Sequence, residues 1–181
     1  MQTTFETPNE KPRRAQLSLD DLARKSYREL GALYDRGVVP ASLRALDGPL
    51  EGRMLAVRGL NRGPLARALR RFAGSKSFVW GGKSFAAKSD GSGTGINRVR
   101  APGVLGRQDL FPFTTHFGSS AVDGRETIVL DYDHPENPPY IRAIHDEVRE
   151  VAPGVYLGPA MWKTDKGPAT VLWFALDTGK R

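Results

Sequence analysis

The sequence predicts a mainly β fold, in which about eight antiparallel strands close into one barrel with a few flanking helices. Short β-like runs follow one another along the chain and are separated by glycine-containing turns. Such short links favour antiparallel pairing, because parallel strands need long crossover connections. Antiparallel strands in this number commonly close into a barrel, which removes exposed sheet edges. The length of 181 residues fits a single domain.

Two regions are expected to precede the barrel strands. Residues 1–17 are polar and contain prolines, so we expect a disordered N-terminal tail. Residues 18–181 are expected to form the single barrel domain. The first part of that domain, 18–46, is predicted to be a helical lead.

The helical lead is predicted to contain two helices. Ser18 and Asp21 have the spacing of a capping box, and Gly37 is a natural C-terminal cap, so the first helix is predicted over 18–37. Pro40 suits the first turn of a second, shorter helix over 40–46.

The middle of the chain supplies most of the predicted strands. The stretch "SFVWGGKSFAAK" (77–88) fits either a hairpin that turns at Gly81 and Gly82 or one long strand with a bulge there. A short basic helix is predicted over 63–74. The other strands of this region are predicted over 50–60, 94–101, 110–119 and 125–132.

The last third is predicted to contain one helix and a closing hairpin. Residues 140–154 place apolar side chains, including Ile141 and Val148, at helical spacing along one face. Two β-like runs flank the turn "DKG" and predict the hairpin. These runs span 155–164 and 169–177.

Composition excludes several classes of chemistry. The chain has no cysteine, which rules out disulfides, thiolate metal sites and cysteine nucleophiles. No apolar run approaches the roughly 18 residues of a membrane span, and the N-terminal stretch has no apolar core of a secretory signal. We therefore expect a cytoplasmic protein, and no cofactor is predicted.

Positive charge is concentrated in the middle of the chain. Residues 46–107 hold 12 basic and 3 acidic residues, a net charge of +9. Within the predicted helix 63–74, Arg67, Arg70 and Arg71 could form a basic lid that attracts an anionic lipid or carboxylate. A solvated helix is the plainer interpretation. Binding of nucleic acid is not expected, because stacking aromatics are missing there, while weak contact with a membrane surface stays open.

The stretch "DYDHPENPP" (131–139) raises the question of a metal or catalytic cluster. It lacks the glycine and the regularly spaced carboxylates of a calcium loop, and the histidine spacing does not suit zinc, so no metal site is predicted. A strand that turns into a helix explains it better. Acid/base catalysis in a pocket would have four candidate residues. They are Asp131, Tyr132, His116 and His145.

Aromatic residues are the candidate ligand contacts. Phe113 and Phe117 lie on one face of the strand 110–119 and His116 lies on the other, so the inward face decides whether the cavity is apolar or polar. Asp131, His116 or an arginine would supply a polar anchor. The residues expected to line or cap the core are Trp80, Phe113, Phe117, Trp162 and Trp173.

The order of elements resembles that of lipocalin-like (calycin) barrel proteins of bacteria, including the uncharacterised domains named after a Gly-x-Trp-x-Gly motif. The stretch "LDYDHPENPPYIRAIHDEVREVAPGVYLGPAMW" (130–162) matches their "YD…P" turn, helix and closing hairpin. The first motif departs from theirs, since Met54 stands in the place of tryptophan and Ala56 in the place of the second glycine. The resemblance implies a small cavity for an apolar ligand.

Three functions follow as hypotheses. The first is binding of a small hydrophobic ligand in the barrel, either lipid or polyketide- or terpenoid-like, with an anionic group as one option. The second is a cofactor-free enzyme, a cyclase or isomerase, that uses acid/base catalysis in the same cavity. The third is an interaction module that uses the basic middle third of the chain.

Overall fold

The computed structural model describes residues 17–57, 80–100 and 106–179, and these form a closed antiparallel barrel of eight strands. Each strand pairs with the next along the chain, and the first pairs with the last. The mainly β fold that the sequence predicts is confirmed. The strands are β1 (Gly48–Val57), β2 (Trp80–Ala87), β3 (Ser92–Arg100), β4 (Arg107–Ser119), β5 (Glu126–Asp131), β6 (Ile144–Ala152), β7 (Val155–Trp162) and β8 (Ala169–Asp177).

The helical lead contains two α-helices where one was predicted over 18–37. They are α1 (Leu19–Ala23) and α2 (Tyr27–Tyr34). The helix is interrupted between them because Ser26 and Glu29 form a second capping box, which was not predicted. Helix α2 ends at Tyr34, three residues before the predicted cap Gly37.

A short 3₁₀ helix, η1 (Leu43–Leu46), takes the place of the helix predicted over 40–46. Ser42 caps it, so Pro40 lies outside the first turn. The η1 residues join the apolar core inside the barrel and contact β2. Helix η1 also meets the turn between β2 and β3, because the Leu43 N–H donates to the Asp90 carbonyl at 2.8 Å.

Strand β2 has the bulge, rather than the hairpin turn, that was predicted as one of two alternatives for residues 77–88. It is one continuous strand whose register with β3 shifts between Trp80 and Gly82, which is a β-bulge. Gly82 has a φ of 122°, and a Cβ there would lie 2.2 Å from the Leu50 carbonyl oxygen. Only glycine fits this conformation and this close approach.

The helix predicted over 140–154 is wrong for most of its length. Only α3 (Pro139–Arg142) is helical, and β6 follows from Ile144 onward. Ile144 faces the barrel interior, whereas Arg149 lies on the outer face beneath Tyr34 of α2. Because both faces of β6 are covered, its residues lack the alternation of a half-buried strand, and their spacing imitates a helix.

Two apolar clusters hold the fold together. One fills the barrel interior and includes Phe113 and Phe174. The other lies between the outer face of the barrel and helices α1 and α2, and it includes Leu30, Tyr34 and Trp173. The phenylalanine face of β4 therefore points inward.

Candidate functional site

The barrel interior contains a cavity of about 340 Å³ near the end of the barrel where α3 lies. Ligand sites in proteins range from about 300 to 1,000 Å³, so this one suits a small molecule. Most of its lining is apolar and comes from seven of the strands and from α3. The apolar lining residues are Met54, Trp80, Val99, Phe111, Ile141, Ile144, Ala160, Leu172 and Phe174.

Four polar side chains line the same cavity, and we call them the Lys83 cluster: Lys83, Asn97, Tyr132 and Asp146. Lys83 and Asn97 are direct partners in the β2–β3 register. Tyr132 directly follows β5, and Asp146 lies on β6, which is the neighbour of β5. The closed barrel thus brings together polar groups that are far apart along the chain.

The ammonium group of Lys83 is the centre of this cluster. It donates to Asn97 Oδ1 at 2.9 Å, to Asp146 Oδ2 at 3.0 Å and to the hydroxyl of Tyr132. The Lys83 and Asp146 side chains are only 3% and 5% exposed. They form a buried ion pair, whose desolvation penalty can exceed the Coulombic gain.

Aromatic rings surround the same ammonium. Lys83 Nζ lies between 5.1 and 5.4 Å from the ring centroids of Trp80, Phe113, Tyr132 and Phe174. Rings at this distance attract a cation through their negative faces, and the attraction grows when water is excluded. The rings and the carboxylate each offset part of the loss of hydration.

Tyr132 and Asn97 complete the hydrogen-bond network. The Tyr132 hydroxyl donates to Asp146 Oδ2 at 3.1 Å and accepts from Asn97 Nδ2 at 3.2 Å. Asn97 Nδ2 also donates to the Phe111 carbonyl at 3.2 Å, and Asn97 Oδ1 accepts from Trp80 Nε1 at 2.9 Å. Each member is therefore held in one orientation by the others.

One polar atom of the cluster has no partner. Asp146 Oδ1 is buried and accepts no hydrogen bond, although Oδ2 of the same carboxylate accepts two. Buried polar atoms in proteins are nearly always satisfied, so this exception at a residue that lines the cavity makes Asp146 Oδ1 a candidate contact for a ligand.

Burial sets the protonation behaviour of the cluster. Desolvation lowers the pKa of Lys83, and the Asp146 carboxylate opposes this effect. Desolvation and the charge of Asp146 raise the pKa of Tyr132 well above its usual value. The phenol therefore stays protonated and remains a donor at physiological pH.

A second polar cluster lies on the outer face of the barrel, beneath α2. Glu147 accepts hydrogen bonds from Tyr34 at 2.8 Å and from the Ala121 N–H at 2.7 Å, and it pairs with His145 Nε2 at 3.0 Å. Burial opposes its ionisation, but these hydrogen bonds and one from Ser120 hold the pKa of Glu147 below its usual value. This cluster fastens α2 to the barrel and does not line the cavity.

The four catalytic candidates from the sequence are separated by the structure. Tyr132 lines the cavity. His145 belongs to the outer cluster, and His116 is exposed on β4. Asp131 accepts a hydrogen bond from Lys163 Nζ at 3.1 Å, on the face of β5 opposite to Leu130.

Asp133 and His134, which follow Asp131 closely, make local contacts. Asp133 accepts a hydrogen bond from Arg142 Nε at 2.7 Å, and His134 Nδ1 accepts one from the Glu136 N–H at 3.4 Å. Across the described ranges, no group of three histidine, aspartate or glutamate side chains is arranged to hold a metal ion.

The five aromatic candidates also occupy different places. Trp80 lines the cavity. Phe113 is buried in the barrel interior, and its ring centroid lies 5.2 Å from that of Tyr132. Phe117 packs against the interior core, on the side of the β2–β3 turn. Trp162 is 43% exposed at the end of β7. Trp173 lies on the outer face, 5.4 Å from the ring of Tyr34.

Sequence reasoning missed Lys83, Asn97 and Asp146. Lys83 alternates with Phe85 and Ala87 on the inward face of β2, and a charged residue in an apolar alternation was the available signal. Asp146 was hidden because the helix prediction assigned it to a polar helix face.

Other predictions fall outside the described residues. The proposed basic lid, Arg67, Arg70 and Arg71, lies in 58–79, and all but the last residue of the N-terminal tail lies in 1–16. Both stay predictions. No helix in the part of the chain that the structure describes has the length and apolar character needed to span a bilayer.

Comparisons with known proteins do not assign this chain to a family. No protein-family model matches the sequence, and the comparison with curated proteins gives no match either. A solved crystal structure of a protein from Thermomonospora curvata is similar over 84% of this chain and 87% of its own, with 19% sequence identity and a TM-score of 0.44. The resemblance to lipocalin-like barrels stays a prediction.

Proposed function

We propose that this protein binds a small hydrophobic molecule inside its barrel. The observation that carries the proposal is a largely apolar cavity of about 340 Å³ with a buried polar cluster in its wall. Ligand sites typically combine an apolar lining with a few convergent polar groups that fix orientation. A cytoplasmic carrier of the lipocalin-like kind would have these features.

The energetics of the Lys83 cluster support a role in binding. A buried ion pair is weak evidence for stability, because apolar residues of similar volume often serve the fold as well or better. The pair of Lys83 and Asp146 also leaves Asp146 Oδ1 without a partner. A site that is held rigid and left one hydrogen bond short is preorganised for a ligand.

Two measurements test the proposal. Native mass spectrometry of the purified protein, followed by solvent extraction, should reveal a bound apolar molecule. Delipidated protein should bind an apolar fluorescent dye at micromolar concentration. If it binds neither a co-purifying molecule nor any apolar probe, the proposal is wrong.

A pair of variants locates the binding. Ala160→Phe adds a ring to the cavity wall and should abolish dye binding. Val171→Phe makes a comparable change at a side chain that is 42% exposed, and should leave binding unchanged. Equal binding by both variants would place the dye outside the cavity.

The unpartnered oxygen also favours a second function, an enzyme that uses acid/base catalysis on a hydrophobic substrate. Asp146 lines the cavity, and its unpartnered Oδ1 could accept a proton from the substrate. Under this alternative, the extracted molecule should be converted on incubation with fresh protein, as followed by liquid chromatography and mass spectrometry. Asp146→Asn should then stop conversion while binding persists. The use of the basic residues 46–107 as an interaction surface remains a third proposal.

A further inference from the structure

We infer that the ligand of this cavity is a neutral apolar molecule that carries a hydroxyl group, and that the hydroxyl donates its hydrogen bond to Asp146 Oδ1. This inference rests on the proposed binding function and names the chemical class of the ligand. It follows from the hydrogen-bonding capacity and the charges of the Lys83 cluster.

The cluster offers a ligand one acceptor. An ammonium has three N–H groups, and those of Lys83 have three acceptors on Asn97, Tyr132 and Asp146. The amide of Asn97 has a partner for each of its N–H groups, and the phenol proton of Tyr132 has Asp146 Oδ2. Asp146 Oδ1 is a carboxylate oxygen, which can only accept. A ligand must therefore supply the donor.

The charges of the cavity wall favour a neutral donor. Lys83 and Asp146 are the charged residues of the described lining, and they compensate each other. A carboxylate ligand at Oδ1 would bring two negative oxygens together away from water, where Coulombic repulsion is weakly screened. An ammonium ligand would add a second positive charge close to Lys83. The anionic ligand suggested by the sequence depended on arginines in the undescribed range 58–79.

A hydroxyl meets both requirements. It donates one hydrogen bond and adds no net charge, so it satisfies Oδ1 and leaves the ion pair balanced. Hydrogen bonds to charged acceptors are stronger than neutral ones, and removal of the donor is expected to weaken binding about ten- to hundredfold. The apolar body of the molecule would then contact the rings and aliphatic side chains of the cavity.

Four probes with ten-carbon chains test the inference. Binding of decanol, decyl methyl ether, decanoic acid and decylamine to the delipidated protein is measured by displacement of an apolar dye at neutral pH. Decanol should bind about tenfold or more tightly than the ether, and both charged probes should bind more weakly than decanol. Equal affinity of decanol and the ether, or tightest binding of the acid or the amine, would overturn the inference.

Two variants show whether Asp146 causes the preference. Asp146→Asn can present an N–H where Oδ1 lies, so the ratio of decanol to ether affinity should fall to about one. Asp131→Asn is the matched control, because Asp131 pairs with Lys163 on the outer face of the barrel. It should keep the wild-type ratio.

The possible outcomes separate the two claims. If no probe binds to the wild type, both the binding function and the hydroxyl preference are wrong. If all four probes bind without preference, binding stands and the hydroxyl preference fails. Because the wild-type series needs no variant, the result does not depend on the folding of Asp146→Asn.

Discussion

Replacement of Lys83 by methionine should lower the free energy of unfolding by about 3–5 kcal/mol, because it leaves the Asp146 carboxylate buried without its counter-ion. The side chain of Asp146 is 5% exposed, and it would keep only the hydrogen bond from Tyr132 at 3.1 Å. Asp146→Leu should cost a similar amount, since it strands the Lys83 ammonium among aromatic rings.

The double variant Lys83→Met with Asp146→Leu should recover most of this loss. Methionine is one atom shorter than lysine, and its flexible apolar chain can pack among the four rings that surround Nζ. Leucine extends toward a cavity of about 340 Å³, which has room for it. Replacement of buried ion pairs by apolar residues is often neutral or stabilising. We therefore expect the free energy of unfolding of the double variant to exceed that of either single variant by about 3 kcal/mol.

Urea denaturation followed by circular dichroism and tryptophan fluorescence measures these differences, provided that both probes give coincident transitions. If each single variant loses less than about 1 kcal/mol of unfolding free energy, Lys83 and Asp146 do not form a desolvated ion pair. A double variant as unstable as the single ones would show that packing, rather than charge, dominates at this site. Either result would refute the reasoning.

Two further predictions concern the fold. Asp123→Asn removes the negative charge and one of the two acceptors of the 2.7 Å hydrogen bonds from Arg149, which are the main cause that lowers the pKa of Asp123 to about 2. An unperturbed aspartate carboxylate has a pKa of 3.8. The wild type should therefore be more stable than the variant by about 1 kcal/mol above that pH. The difference should vanish as the pH falls toward about 2, where the urea midpoints of the two proteins converge. Gly158→Ala would place a Cβ 1.6 Å from the Glu147 carbonyl oxygen and should abolish the native circular dichroism spectrum, whereas Gly91→Ala, with its nearest contact at 3.9 Å, should retain it.

Local patterns in the sequence predicted much of the barrel. The closing hairpin and the strand containing Phe113 follow from alternation and turn residues, which depend on near neighbours alone. The first capping box, Ser18 with Asp21, was recognised for the same reason. Ser26 and Glu29 carry an equally local signal, but the continuous apolar stripe across 18–37 concealed the break.

The prediction failed where tertiary contacts override local pattern. Strand β6 has Asp146 on its inner face and Glu147 on its outer face, and both side chains are buried. Charged residues at such positions look solvent-exposed in a sequence, so a helix with one polar face was the natural interpretation. Their partners, Lys83 and Tyr34, lie 63 and 113 residues away, which no local window can detect.

The sequence by itself determined the β class, seven of the eight strands and the turns between most of them, because hydrophobic periodicity and turn chemistry act over a few residues. It also excluded thiol chemistry. Only the tertiary structure decided which face of each strand points inward, and hence that Tyr132 reaches the cavity whereas His116, Asp131 and His145 do not. The physical reason is closure of the barrel. Pairing of β1 with β8 closes the barrel around Lys83 and Asp146, and helix α2 covers the outer face of β6.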